Sequence, residues 1–276
     1  MLFRFCKPCI ELRDYVETIL LFHQQKDVSE PDPFKPFPPA PEQCLYFYPR
    51  EKIFHKNLLS QGHFQPFSII VGPQVSRIDL KMGCNNLMIC AIFRPGSLHR
   101  LLGIPMKNLF DHYIDSSLIW PDEIRTLEEQ MNETDDYNVM VRCVEIFLIK
   151  HFASIKKEVH PIDEVFKYMV SLRQNRSIEW LAGQACLSTR QFDRKFYDYI
   201  GMSPKVFERI ARFSSAFRMK DSQPEKDWLS IALHSGYYDL KHMLRDFKEF
   251  AGTTPKILRE EDAVTNVKVY TYSTLK

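Results

Sequence analysis

The chain repeats itself once, near its C-terminal end. Leu181 and Ala182 return 50 residues later as Ile231 and Ala232. Further along, Ser188, Phe192, Arg194, Phe196, Gly201 and Pro204 match Asp239, Met243, Arg245, Phe247, Gly252 and Pro255 at an offset of 51. The second copy therefore holds one extra residue between its alanine and its acidic cap. Self-similarity of this kind marks one supersecondary unit used twice. The residue types give its form. An alanine suits a helix crossing, because its small side chain lets two backbones approach. Ser188 and Asp239 fit N-caps, whose side-chain oxygens accept from free backbone N–H groups. Gly201 and Gly252 fit C-terminal caps that need a left-handed backbone. Pro204 and Pro255 fit the first turn of the helix that follows. Each copy reads helix, turn, helix, stop.

Periodicity sorts the second helix of each copy into two faces. At about 100° per residue, Phe192, Phe196 and Tyr199 fall on one side, as do Met243, Phe247 and Phe250. Opposite them stand Arg190, Gln191, Arg194, Tyr197 and Asp198 in the first copy, and Lys241, His242, Arg245, Lys248 and Glu249 in the second. An apolar back and a cationic, hydrogen-bonding front suit a helix laid into a major groove. A single helix of this kind is usually an ordinary solvated surface, but two in equivalent frames favour nucleic acid. The candidate contacts are Arg190, Gln191, Arg194, Lys195 and Tyr197, then Lys241, His242, Arg245 and Lys248. Two such helices on one face of a duplex must sit about 34 Å apart, or the DNA must bend. Arginine and glutamine can read bases with paired hydrogen bonds, whereas lysine suits phosphate. The first copy is expected to carry more of the sequence specificity.

Charge agrees with this division without proving it. Residues 161–260 hold 17 Lys/Arg against 13 Asp/Glu, while residues 1–160 hold 18 against 20. A length of 276 residues suits two domains. Glu30 to Pro41 contains six prolines and must be extended or looped. Cys44 to Tyr48, Ser68 to Val71 and Leu87 to Phe93 are short apolar bursts read as buried strands. Helix is expected after Pro95, and Asp136 to Ile155 reads as one amphipathic helix with Val139, Val141, Val144, Phe147 and Leu148 inward. Ile162 to Leu172 and Ser177 to Ala185 read as two more helices. The weak alternation through Val264, Val267 and Val269 receives no assignment.

Other signals point away from catalysis. Cys6 and Cys9 have the spacing of half a zinc site but lack a second pair. His23, His55 and His63 could form a metal cluster, yet no His-x-His or ligating carboxylate accompanies them. Cys90 lies within an apolar run and reads as core. No metal, cofactor or catalytic residue is implied. Arg94 directly follows an apolar strand, so it must be paired or face a cavity. Together with Tyr46 and Tyr48 it is the candidate effector-binding set. No apolar run approaches the roughly 20 residues of a membrane helix. Seven cysteines, an odd number, suit reduced thiols and a cytoplasmic protein that does not contact membranes.

These residues resemble the AraC family of bacterial transcription regulators over roughly residues 160–260. The second copy carries the most specific stretch: Gly236-Tyr237, Met243-x-Arg245-x-Phe247-Lys248, Gly252-x-x-Pro255 and Arg259. Val206 to Met219 resembles the family's linker helix, with Arg212 and Ala216 at its usual positions. Cys186 stands where glycine is frequent and Met243 where phenylalanine is, both taken as compatible. Gly72-Pro73, Phe93-Arg-Pro-Gly96 and Leu101 to Pro105 resemble the sensor domain of an AraC-like subgroup. The resemblance implies an α+β chain. A small β-rich, cupin-like domain with helices at its end fills 1–157, an all-α tandem helix-turn-helix domain fills 158–262, and a tail fills 263–276. It further implies double-stranded DNA and RNA polymerase as partners, with a small effector or homodimerisation as the control. Two rivals are an enzyme fused to a DNA-binding module and a ligand-independent architectural regulator. A deep apolar pocket in the first domain favours sensing, and a flat patch favours pairing.

Overall fold

The structure is a computed structural model that describes residues 1–57, 62–155, 160–171 and 176–263. Its N-terminal half is a two-layer antiparallel sandwich. The strands are β1 (Leu2–Cys6), β2 (Val16–Gln25), β3 (Lys35–Phe37), β4 (Gln43–Phe47), β5 (Phe54–Asn57), β6 (His63–Phe64), β7 (Ser68–Val71), β8 (Ile78–Lys81), β9 (Asn85–Phe93) and β10 (Tyr113–Asp115). The larger sheet runs β1-β2-β9-β4-β7-β10 and the smaller one β3-β8-β5-β6. Pro36 lies in β3, at the edge of the smaller sheet, where a missing donor costs least. The proline-rich segment is thus extended, and part of it pairs.

Both faces of the larger sheet are buried, which is why its central strands are near-continuous apolar runs. Leu20, Phe22, Cys44, Cys90 and Ile92 face the space between the sheets. Ile19, Leu21, Leu45, Phe47, Ile89 and Ala91 face outward onto helices. After a short helix, α1 (Ser97–Leu102), these are α2 (Pro121–Asn132) and α3 (Tyr137–Ala153). Asp136 caps α3 by accepting from the Asn138 amide, so the helix begins one residue later than the sequence pattern indicated. One inward assignment is overturned. Val139 is 45% exposed, because the buried stripe runs through Met140, Val144, Phe147 and Leu148.

Among the described residues, seven further helices form the C-terminal half: α4 (Pro161–Ser171), α5 (Ile178–Gln184), α6 (Thr189–Ile200), α7 (Pro204–Ser222), α8 (Trp228–His234), α9 (Leu240–Ala251) and α10 (Pro255–Ala263). They share a single core that joins Phe166, Phe192, Phe196 and Phe207 to Phe213, Met243, Phe247 and Phe250. The repeat is a structural repeat. Leu187 N donates to Ala182 O at 2.9 Å, and Tyr237 N donates to Ala232 O at 3.0 Å. The extra residue of the second copy is Tyr238, which bulges outward and is 88% exposed. Val264, Val267 and Val269 lie outside the described residues.

The two halves are pinned together at several points. Arg100 pairs with Asp163 at 2.5 Å, Glu42 with Arg218 at 2.9 Å, and Arg77 with Glu261 at 2.5 Å. Lys35, only 1% exposed, reaches Asp262 on α10 at 2.6 Å. Burial pushes the Lys35 ammonium down despite the neighbouring carboxylate. Val75 and Phe110 of the first half pack against the helical core. Gly201, at φ +86°, ends α6 against this seam. A Cβ there would stand 2.5 Å from Pro73 Cγ and 2.8 Å from the Met106 carbonyl.

Candidate nucleic-acid interface

Local rules build the two equivalent surfaces. In the first copy Ser188 caps α6 by accepting from the Gln191 amide, while Gln191 Oε1 accepts from the Ser188 amide at 3.0 Å and its hydroxyl at 2.9 Å. This reciprocal pair is a capping box. In the second copy Asp239 caps α9 through the His242 amide at 2.6 Å. Gly201 and Gly252 end the two helices in left-handed conformation. Ser203 and the Thr254 hydroxyl then cap α7 and α10, with Pro204 and Pro255 in the first turns.

The apolar backs are buried as periodicity requires, with Phe192 and Phe196 matching Met243 and Phe247. On the fronts, Arg190, Arg194 and Tyr197 are exposed on α6, and Lys241, Arg245 and Lys248 on α9. Among the described residues, none of these five cations has a carboxylate partner. Each of the two equivalent helix faces thus carries exposed cations without a carboxylate partner among the described residues, a charge distribution that suits a polyanion.

The remaining candidates are placed differently. Gln191 is exposed, but its carbonyl is held in the capping box. Lys195 is half-buried, its Nζ 2.8 Å from His160 Nε2 at the start of α4. His242 is half-buried, edge-on to Tyr237 at 5.2 Å. Asp198 is half-buried, and Glu249 is drawn off the front by Arg209 of α7, Nη2 to Oε2 at 2.5 Å. Arg209 also grips Asp246, buried on α9, at 2.7 Å. Glu249 and Asp246 hold the Arg209 guanidinium above its ordinary value, and Arg209 in turn holds the Glu249 carboxyl down. Burial, then the Asp246 charge, pushes the Tyr237 phenol up. This brace between α7 and α9 carried no periodic signal, because one partner lies 37 residues from the other. Tyr238 likewise stands exposed beside the start of α9 and was visible only as an extra residue.

The first turn corrects one reading. Cys186 adopts φ +54°, a left-handed backbone, at the position equivalent to Gly236 with φ +84°. Cysteine there is a strained substitute for glycine rather than a neutral one.

The candidate effector residues separate. Tyr46 and Tyr48 lie side by side between the sheets, rings stacked at 6.2 Å, and burial pushes both phenols well up. Arg94 lies past the end of β9, its guanidinium 2.5 Å from Glu17 and donating to Arg13 O at 2.7 Å. Cys90 is buried in the same interior as Tyr46. His23 bonds Tyr137 and Asn85, whereas His55 and His63 pair across β5 and β6. Among the described residues no group of three or more His, Cys, Asp or Glu could hold a metal ion, and no helix is long and apolar enough to cross a membrane.

Known proteins share these features in parts. A family model described as a helix-turn-helix domain matches residues 181–261, and one described as a domain of unknown function matches residues 4–115. An uncharacterized HTH-type transcriptional regulator of Haemophilus influenzae is 39% identical over 84 residues. That alignment spans 30% of this chain and only 28% of the relative's length. Among solved structures, an apo variant of ToxT from Vibrio cholerae aligns with 87% of this chain and 97% of its own, at 14% identity and a TM-score of 0.49. A transcriptional regulator with an AraC-type DNA-binding domain from Chromobacterium violaceum aligns with 37% and 89%, at 26% identity and a TM-score of 0.33. With the repeat, its caps and its paired helix faces in place, residues 181–261 are a helix-turn-helix domain.

Proposed function

We propose that this chain is a sequence-specific DNA-binding transcription regulator that lays α6 and α9 into two successive major-groove segments of double-stranded DNA. The observation that carries this reading is the pair of equivalent, unpaired cationic fronts on one shared core. Residues 158–262 form the DNA-binding domain, residues 1–157 the sensing or dimerising domain, and 263–276 a tail. Arg190 and Arg194 are the base readers. Lys241, Arg245 and Lys248 serve mainly the backbone, with Tyr197 and His242 flanking. Gln191 and Lys195 support α6 rather than reading bases, given their engagement with Ser188 and His160. Control comes from a small effector or from homodimerisation, RNA polymerase is the downstream partner, and the setting is the cytoplasm. The chain performs no catalysis of its own.

The seam between the halves gives such control a route. The first unit touches the sandwich through Gly201 and Arg100, and the second unit with its linker through Arg77, Lys35 and Arg218. A shift of the sandwich therefore changes how the two fronts are presented to DNA. Fluorescence anisotropy of the full chain on a short labelled duplex tests the binding itself. With five unpaired cations neutralising phosphates, log affinity should fall against log salt with a slope of about −4 to −5. Affinity unchanged between about 50 and 200 mM salt would remove phosphate contact from the account.

A further inference from the structure

The outer face of the smaller sheet carries a groove that the DNA-binding reading does not use. Register creates it. Phe54 of β5 stands opposite Lys81 of β8 on one side and Phe64 of β6 on the other, while its neighbour His55 faces inward opposite Leu80. Phe34, just before β3, leans over this row with its ring 6.2 Å from that of Phe54. The Lys56 and Lys81 ammonium groups stand 5.5 and 5.0 Å from the Phe34 centroid, so both converge on one ring. Lys52 completes the wall, and Phe64 is 65% exposed. The groove is open to solvent, with a volume of about 800 Å³.

The charges in this groove do not balance. Asp32, in the wall, is taken by Lys26 at 2.7 Å and by the Gly83 amide at 3.3 Å. Glu51 accepts from the Cys84 amide at 2.7 Å. Asp79, in register with Lys56, is held by Arg77 at 2.7 Å. Among the described residues no carboxylate pairs with Lys52, Lys56 or Lys81. Like charges gathered over a ring repel each other, and the ring's own attraction for a cation is weak at an exposed site. An anion between them removes the repulsion, and an aromatic ring attached to it gains the faces of Phe34 and Phe64.

We infer that this groove binds a small organic anion bearing an aryl ring, the ring against Phe34 and Phe64 and the anionic group between Lys56 and Lys81. The inference deepens the proposed control by a small effector and rests on that reading for its biological sense. Binding is measured without DNA, so either can fail alone. Isothermal titration calorimetry of the full chain uses three probes: phenyl phosphate, inorganic phosphate and benzyl alcohol. Phenyl phosphate should bind one to one and at least fivefold more tightly than inorganic phosphate, with no measurable heat from benzyl alcohol. The double variant Lys56→Gln/Lys81→Gln, altered only on the open face and checked by its melting temperature, should lose at least tenfold. Phe64→Ser should erase the preference for phenyl phosphate over inorganic phosphate. Equal affinity for the two phosphates, or unchanged binding in the double variant, overturns the assignment. So does a double variant that loses duplex DNA affinity when phenyl phosphate never bound, since the lysines would then serve nucleic acid.

Discussion

Replacing Arg209 by alanine should unfasten the second recognition helix. Its guanidinium sends Nε and Nη2 to Asp246 Oδ1 at 3.1 and 2.7 Å, and Nη1 and Nη2 to Glu249 at 3.0 and 2.5 Å. Asp246 is 2% exposed, with Arg209 on its Oδ1 and the Tyr237 phenol as a further neighbour. Removing one partner of a buried pair costs about 3–5 kcal/mol. Arg209 retains some exposure and water can enter its place, so about 2–3 kcal/mol is expected here. For a chain of this size that lowers the melting temperature by roughly 5–10 °C. Removing Asp246 as well should restore most of the loss, because the carboxylate then left without Arg209 is Glu249, which is exposed to water. The assay is a double-mutant cycle by chemical denaturation, and the expected coupling is about 2 kcal/mol. DNA affinity should fall too, since Glu249 returns unpaired to the cationic front, and Glu249→Ala in the same background should recover it. Strictly additive losses from Arg209→Ala and Asp246→Ala would refute the brace.

Three further perturbations probe other joints. Gly201→Ala combines a positive φ with a collision against Pro73 and Met106 and should cost about 2–4 kcal/mol. Gly103→Ala, at φ +67° with open space around it, should cost only the backbone part, and equal losses in denaturant would show that the seam does not press on α6. Cys186→Gly relieves a left-handed cysteine and should raise stability by about 0.5–1 kcal/mol with DNA affinity unchanged; a loss of stability contradicts it. Burial, then the His63 charge, holds the His55 pKa down, and burial does the same for His151. The unfolded chain therefore binds more protons once pH falls below about 6.5, so stability should decline from there. Glu249 and Asp227, whose pKa values are lowered by their hydrogen bonds, should add to that loss only below about pH 4. His55→Gln should flatten the first phase of a denaturation series, and stability rising between pH 7 and 5 would reverse the sign.

What was legible in the sequence was what local rules determine. The caps, the glycine stops and the apolar backs of α6 and α9 follow from neighbouring residues, and the structure has them at those positions. Strand β2 was not legible. Its apolar burst from Ile19 to Phe22 is short, and its ends are the polar residues Glu17, Thr18, His23 and Gln24. The capping box was readable from Ser188 and Gln191 three residues apart, yet the same glutamine also fitted the polar front, and the two uses compete for one carbonyl. The seam could not be read at all. Lys35 and Asp262, or Gly201 and Pro73, meet only through the packing of the two halves, and no periodicity in one segment encodes its partner in another. The same holds for the groove, where Phe34, Phe54 and Lys81 come from three separate strands and turns.

The central claim is that two helices in one chain read two adjacent stretches of DNA. Selection of bound fragments from a random duplex pool tests it most directly, with the parent chain, Arg190→Ala and Lys241→Ala run in parallel. The account predicts an asymmetric motif in two parts, with centres about one helical turn apart. Arg190→Ala should relax base preference at one position in one part, while Lys241→Ala should weaken all sequences alike and leave the motif intact. A pool that never enriches, or a motif that both substitutions leave unchanged at full affinity, would contradict it.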